Sequence, residues 1–115
     1  MRRGDVFLAD LDPARGSEAA KTRPVIVVGS NASLVSATRN GRGTITIVPV
    51  TSNVARVHAF QVLLESGTAG LDADSKAQAE QVRSIDVARL SRRLGSLPPE
   101  VLARVDDALR LHLAL

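Results

Sequence analysis

Short apolar or alternating runs, broken by turn residues, fill residues 1–95. Val6 to Leu11 is apolar on both faces and bounded by Asp5 and Asp12-Pro13, which predicts a buried strand. Val25 to Val28 is β-branched throughout and follows Pro24. Thr44-Ile45-Thr46-Ile47 alternates as a half-buried strand should, and Pro49 in its continuation predicts an edge or a bulge there. Phe60, Val62 and Leu64 alternate with Gln61 and Glu65, and weaker strands are expected around Ala77 to Val82 and Arg92 to Gly95. Asn31 to Arg39 fits a short helix with Asn31 as N-cap and Asn40-Gly41 as the stop. The clearest helix follows Pro98-Pro99: Val101, Val105, Leu109 and Leu113 form one stripe, backed by Leu102 and Ala108. Glu100 in its first turn and Arg110 and His112 in its last suit the helix dipole. The pattern as a whole predicts a mainly β fold with packed helices, a small β-barrel or curled sheet.

Composition narrows this picture. The chain has 115 residues, 44% hydrophobic and 23% charged, an ordinary globular mix that fits one domain over 1–115. Without cysteine there is no disulfide framework and no thiolate chemistry. No run approaches the roughly 18 apolar residues of a membrane span. Met1-Arg2-Arg3 is followed by Asp5 and Asp10 instead of an apolar segment, which argues against a twin-arginine leader. A cytoplasmic protein without membrane association is the expectation.

The net charge of +3 is unevenly spread. No acidic residue lies between Glu18 and Glu65, whereas Lys21, Arg23, Arg39, Arg42 and Arg56 do. Such a gap lets one region of the surface attract a polyanion. The alternative is scattered bases offset in space by acids from elsewhere. Arginine greatly outnumbers lysine, which suits forked phosphate contacts, although a GC-rich coding bias explains it equally well.

Most catalytic inventories are empty. His58 and His112 are the only histidines, so no metal-ligand cluster forms, and no metal or other cofactor is expected. No glycine-rich phosphate loop precedes a lysine. His58 lies between strands, as an acid–base group or a solvated turn residue, and His112 reads as a helix-end residue. Two places stand out. Arg23 precedes Pro24 and is thereby biased to extended backbone, where the loop Gly16 to Thr22 enters a strand. Thr51-Ser52-Asn53 occupies the matching place at the far end of Ile45 to Val50. If these strands are neighbours, an arginine and several hydroxyls converge on one rim. Local turn chemistry is the competing account of the same residues.

Gly4 to Pro13, then Gly16-Ser17-Glu18 and Arg23-Pro24-Val25-Ile26-Val27-Val28, resemble the opening of MazF/PemK-type toxins. Val48-Pro49-Val50-Thr51-Ser52-Asn53 and Ala79 to Asp86 resemble later motifs of that family, in order along nearly the whole chain. The resemblance implies a compact barrel related to SH3 and CcdB folds, in a homodimer. It implies a sequence-specific, metal-independent endoribonuclease that cuts single-stranded RNA, leaving 2′,3′-cyclic phosphate and 5′-hydroxyl ends. It further implies a MazE-type antitoxin as partner. Arg23 and Thr51 fall on the family's catalytic arginine and threonine, and Ser17 and Glu18 on its loop serine and glutamate. Gln81 and Ser84 fall on its later glutamine and hydroxyl.

The expected catalytic set is therefore Arg23, Thr51 and Glu18. Ser17, Ser52, Asn53, Arg56, Gln81, Arg83 and Ser84 are the expected RNA contacts, with Arg56 and Arg83 as candidates to track the backbone. Phe7 stands where many members have Trp or Tyr, and His58-Ala59-Phe60 where they have an aromatic-Pro-Phe triplet, so base stacking must rely on Phe or arginine planes. The competing readings are a CcdB-like, non-catalytic poison that binds DNA gyrase through its C-terminal helix, and a small SH3-like adaptor.

Overall fold

The computed structural model describes residues 1–115. Seven strands form the sheet: β1 (Asp5–Asp10), β2 (Thr22–Val27), β3 (Thr44–Thr51), β4 (Gln61–Leu64), β5 (Ser75–Gln78), β6 (Arg83–Asp86) and β7 (Leu90–Ser96). Two helices, α1 (Asn31–Asn40) and α2 (Pro99–Leu113), complete the chain. The ladder runs β4-β5-β3-β2-β1-β7, with β6 paired to β3, and every pairing is antiparallel. The mainly β architecture with packed helices expected from the pattern is the one found. Its path runs from β4 to β7, and those two ends do not pair with each other.

Apolar residues fill both faces of the sheet. On one face Val6, Ile26, Val48, Val50, Val62 and Leu64 pack with Val101, Val105 and Ala108 of α2. On the other, Leu11, Val25, Val27, Ile45, Ile47 and Ile85 pack with Leu34 and Ala37 of α1. Consecutive β2 residues Val25, Ile26 and Val27 thus serve opposite cores, which is why the run is apolar throughout. Fully burying one such side chain contributes about 1.5–3 kcal/mol. The predicted α2 stripe holds at Val101 and Val105, while Leu113 at the helix end is exposed.

Three local expectations change. Pro49 is on a central strand, opposite Val25 of β2. On its other side β3 leaves β6 at Ile47 and takes up β5 at Val50, so the proline sits where no partner needs its missing N–H. The single strand expected at Ala77 to Val82 is two strands, β5 and β6, joined by a 3₁₀ turn at Ala79–Gln81. The α1 N-cap is Ser30, whose hydroxyl accepts from the Ser33 N–H; Asn31 instead accepts from the Arg3 N–H at 3.0 Å. The helix stops at Gly41 in left-handed backbone, as Asn40-Gly41 suggested. Gly70 meets a different demand: a Cβ there would lie 2.2 Å from the Leu94 carbonyl oxygen of β7.

Candidate active site

β2 and β3 pair with Val25 opposite Pro49. Beyond that pair the two antiparallel strands run on to Arg23 and Thr51 at the same end of the sheet. On the other side of β3, Thr51 pairs with Lys76 of β5. Three neighbouring strands therefore present a guanidinium, a hydroxyl and an ammonium in one row. Two adjoining hollows share Arg23 and Thr51 in their walls. One, of about 290 Å³, is completed by Lys21, Thr22, Val50, Ser52 and Ser75 among others. The other, of about 240 Å³, adds Ser17, Glu18, Asn53, Lys76, Gln78 and Gln81.

The bonding of each side chain shows what it has left for a ligand. Arg23 donates its Nε–H to the Ala20 carbonyl at 2.6 Å. That contact orients the guanidinium and leaves the N–H groups on both Nη atoms without a protein acceptor. Thr51 Oγ1 accepts from the Asn53 N–H at 3.2 Å, and Asn53 Oδ1 accepts from the Ala55 N–H at 3.3 Å. The turn chemistry read from Thr51-Ser52-Asn53 is thus present, and it fixes the hydroxyl while leaving its proton free to donate. Glu18 Oε1 accepts from the Arg15 N–H at 2.6 Å and forms no ion pair with Arg23. Its second carboxylate oxygen is unengaged.

The loop between β1 and β2 is held on both sides. At its base the Leu11 N–H donates to the Lys21 carbonyl, and the Lys21 N–H to Asp12 Oδ1 at 2.9 Å. Arg89 donates to the carbonyls of Asp10 and Asp12. On the hollow side Gln81 accepts from the Ala19 N–H at 3.1 Å and donates to the Ser17 carbonyl at 3.0 Å. Both ends of that carboxamide are spent on the loop, so Gln81 positions Ser17 and Glu18. Its neighbour Glu80 accepts from Gln61 at 2.7 Å, and Gln61 in turn accepts from the His58 N–H. One 3₁₀ turn thereby braces both loops that flank the hollow. His58 stacks on Phe60 with ring centroids 5.0 Å apart, a packed turn residue.

Of the expected residues, the fold gathers Arg23, Thr51, Glu18, Ser17, Asn53, Ser52 and Gln81. Arg56, Arg83 and Ser84 fall outside the lining of both hollows. On β6, Ser84 pairs with Thr46 of β3 and Arg83 with Ile47 of β3. At about 3.3 Å per residue these positions lie about 17 and 13 Å down β3 from Thr51. The exposed Arg56 contributes its carbonyl, which accepts from Lys76 Nζ. Lys76, Gln78 and Glu80 were not anticipated. The one available signal was a charged residue in an alternating run, Ser75-Lys76-Ala77-Gln78, which a solvated face explains equally well.

Fold and site together define a class: a small, mainly β protein whose central strands open on a polar, cationic hollow at one end. The model of the PemK-like, MazF-like toxin of type II toxin-antitoxin systems matches residues 2–113. The chain is 56% identical over 115 residues to endoribonuclease MazF9 of Mycobacterium tuberculosis (strain ATCC 25618 / H37Rv), covering all of this chain and 98% of that relative. The crystal structure of MazF from Deinococcus radiodurans superposes with a TM-score of 0.81 at 28% identity, covering 100% of this chain and 97% of that one. An endoribonuclease in complex with its cognate antitoxin, from a mycobacterial species, shares the fold with a TM-score of 0.77 at 20% identity, covering 100% and 96% of the two chains. The chain belongs to the PemK-like, MazF-like toxin family.

Proposed function

We propose that this chain is an endoribonuclease toxin that cuts single-stranded RNA through the RNA's own 2′-hydroxyl. The observation that carries the reading is that Arg23 and Thr51 share the walls of both hollows with unspent donors on both. The 2′-oxygen attacks the adjacent phosphorus, the O2′–P bond forms and the P–O5′ bond breaks. The products are a 2′,3′-cyclic phosphate and a 5′-hydroxyl. No protein nucleophile is needed. The site has to align the two oxygens, neutralise charge on the phosphorane-like transition state and move two protons.

Arg23 serves the charge role, since the free fork of its guanidinium matches two phosphate oxygens. Thr51 donates to a non-bridging oxygen. A guanidinium is a poor base, so the 2′-hydroxyl proton goes to Glu18, whose second oxygen is unengaged in the same hollow. The leaving 5′-oxygen takes its proton from Glu18 or from solvent. The reading uses no metal, and no three His, Asp or Glu side chains gather into a ligand set. Ser17, Ser52 and Asn53 on the rim contact the flanking nucleotides.

The functional unit is a homodimer neutralised by a MazE-type antitoxin, a partner supported by membership of a family of type II toxin-antitoxin toxins. Purified protein on single-stranded RNA with EDTA present tests the reading. Cyclic-phosphate ends that disappear in Arg23→Ala are expected. Intact RNA together with inhibited DNA gyrase identifies a non-catalytic poison instead.

A further inference from the structure

Lys76 is the feature of the hollow that the reaction above leaves unused. It is 8% exposed, yet no carboxylate lies within ion-pairing distance of it. Its Nζ donates to the Arg56 carbonyl, which leaves two N–H groups without a protein acceptor. An ammonium withdrawn from water without a counter-charge is unfavourable, and it is tolerated where a ligand supplies that charge. The hollow that it lines holds Arg23 and Thr51. A second observation points the same way. Gln78 is two residues along the same face of β5 and lines the same hollow, and its buried Oε1 has no hydrogen-bond donor. A built wall with an unpaired cation and an unpaired acceptor is suited to a ligand that carries both an anionic group and N–H or O–H donors. A nucleotide of RNA carries both.

We propose that Lys76 is a phosphate-binding residue of this site, gripping RNA from the β5 side of Thr51 while Arg23 grips it from the β2 side. This rests on the ribonuclease reading and deepens it. Adjacent strands are about 4.8 Å apart, so the row Arg23–Thr51–Lys76 spans about 10 Å and puts two cations around one hydroxyl. A tether for the loop after β3 is the competing role, since Lys76 also holds the Arg56 carbonyl. The two roles differ in salt dependence, because only a phosphate contact releases a counterion.

The probe is an RNA oligonucleotide that the wild-type protein cuts, made uncleavable by a 2′-deoxy substitution at the mapped site. Its Kd is measured against NaCl concentration. Lys76→Gln keeps a donor for the Arg56 carbonyl but removes the charge. It should weaken binding about tenfold and reduce the slope of log Kd against log salt by about 0.7. Lys76→Arg should keep the wild-type slope, and thermal melts of both variants report whether the fold is retained. A Lys76→Gln protein that binds weakly with the full wild-type slope reveals a tether only and overturns the proposal, while wild-type cleavage of RNA leaves the ribonuclease reading standing. Wild-type protein that cuts no RNA overturns that reading and the proposal with it.

Discussion

Arg23 and Thr51 each spend part of their bonding capacity on the fold and keep the rest. The Ala20 carbonyl takes the Arg23 Nε–H, and the Asn53 N–H takes a Thr51 lone pair. Local turn chemistry is therefore the means by which the two proposed reactive groups are held still. Arg23→Ala should still melt cooperatively as a folded protein and lose cleavage by at least about the 10²–10³ typical of removing one transition-state donor. Arg23→Lys should be badly impaired too, because an ammonium lacks the two-pronged geometry. Thr51→Val should lower kcat by a similar factor with little change in KM, as measured in steady-state kinetics. Both residues were legible beforehand, one through its place before Pro24 and the other at a strand end. Lys76 was not. Its significance depends on burial and on the pairing of β5 with β3, a contact between distant parts of the chain that no local pattern encodes.

The elements explain what the residues cannot. The turn at Ala79–Gln81 supports the Ser17–Ala19 loop through Gln81 and the loop after β3 through Glu80 and Gln61. Gln81→Leu should release the Ala19 amide, raising its hydrogen-exchange rate and increasing KM, with the fold otherwise intact. Unchanged protection at Ala19 contradicts that role. The sequence pattern suggested one strand here because a single 3₁₀ turn has no periodicity to reveal it. Pro49 misled for a related reason: the gap between β6 and β5 that accommodates it is set by two other strands. Helix α1 was easier to place, and its cap shifted by one residue, to Ser30. Ser30→Ala should lower stability by about 1 kcal/mol in a denaturant titration.

Across the whole molecule, charged side chains tie the N-terminal segment to the C-terminal helix and to the sheet edge. Arg3 forms a forked pair with Asp106 of α2, at 2.6 and 3.2 Å. Asp5, buried on β1, accepts from the Ser96 hydroxyl, the Arg2 N–H and the Arg93 guanidinium. Burial alone raises its pKa, but these hydrogen bonds and the Arg93 charge together hold it below the ordinary carboxylate value. The folded protein thus binds the proton less readily than the unfolded chain. The stability Asp5 contributes is present at neutral pH and disappears as pH falls below about 4. Asp5→Asn should melt earlier at pH 7 and lose less stability than wild type on acidification.

The central claim is that one guanidinium and one hydroxyl act together on a single phosphodiester. Single-turnover cleavage of saturating RNA by wild type, Arg23→Ala, Thr51→Val and the double variant tests it most directly. The account predicts that each single variant is slowed by at least about 10² and that the double variant is far less impaired than the product of the two. Wild-type rates in Arg23→Ala contradict it, as do two losses that multiply independently.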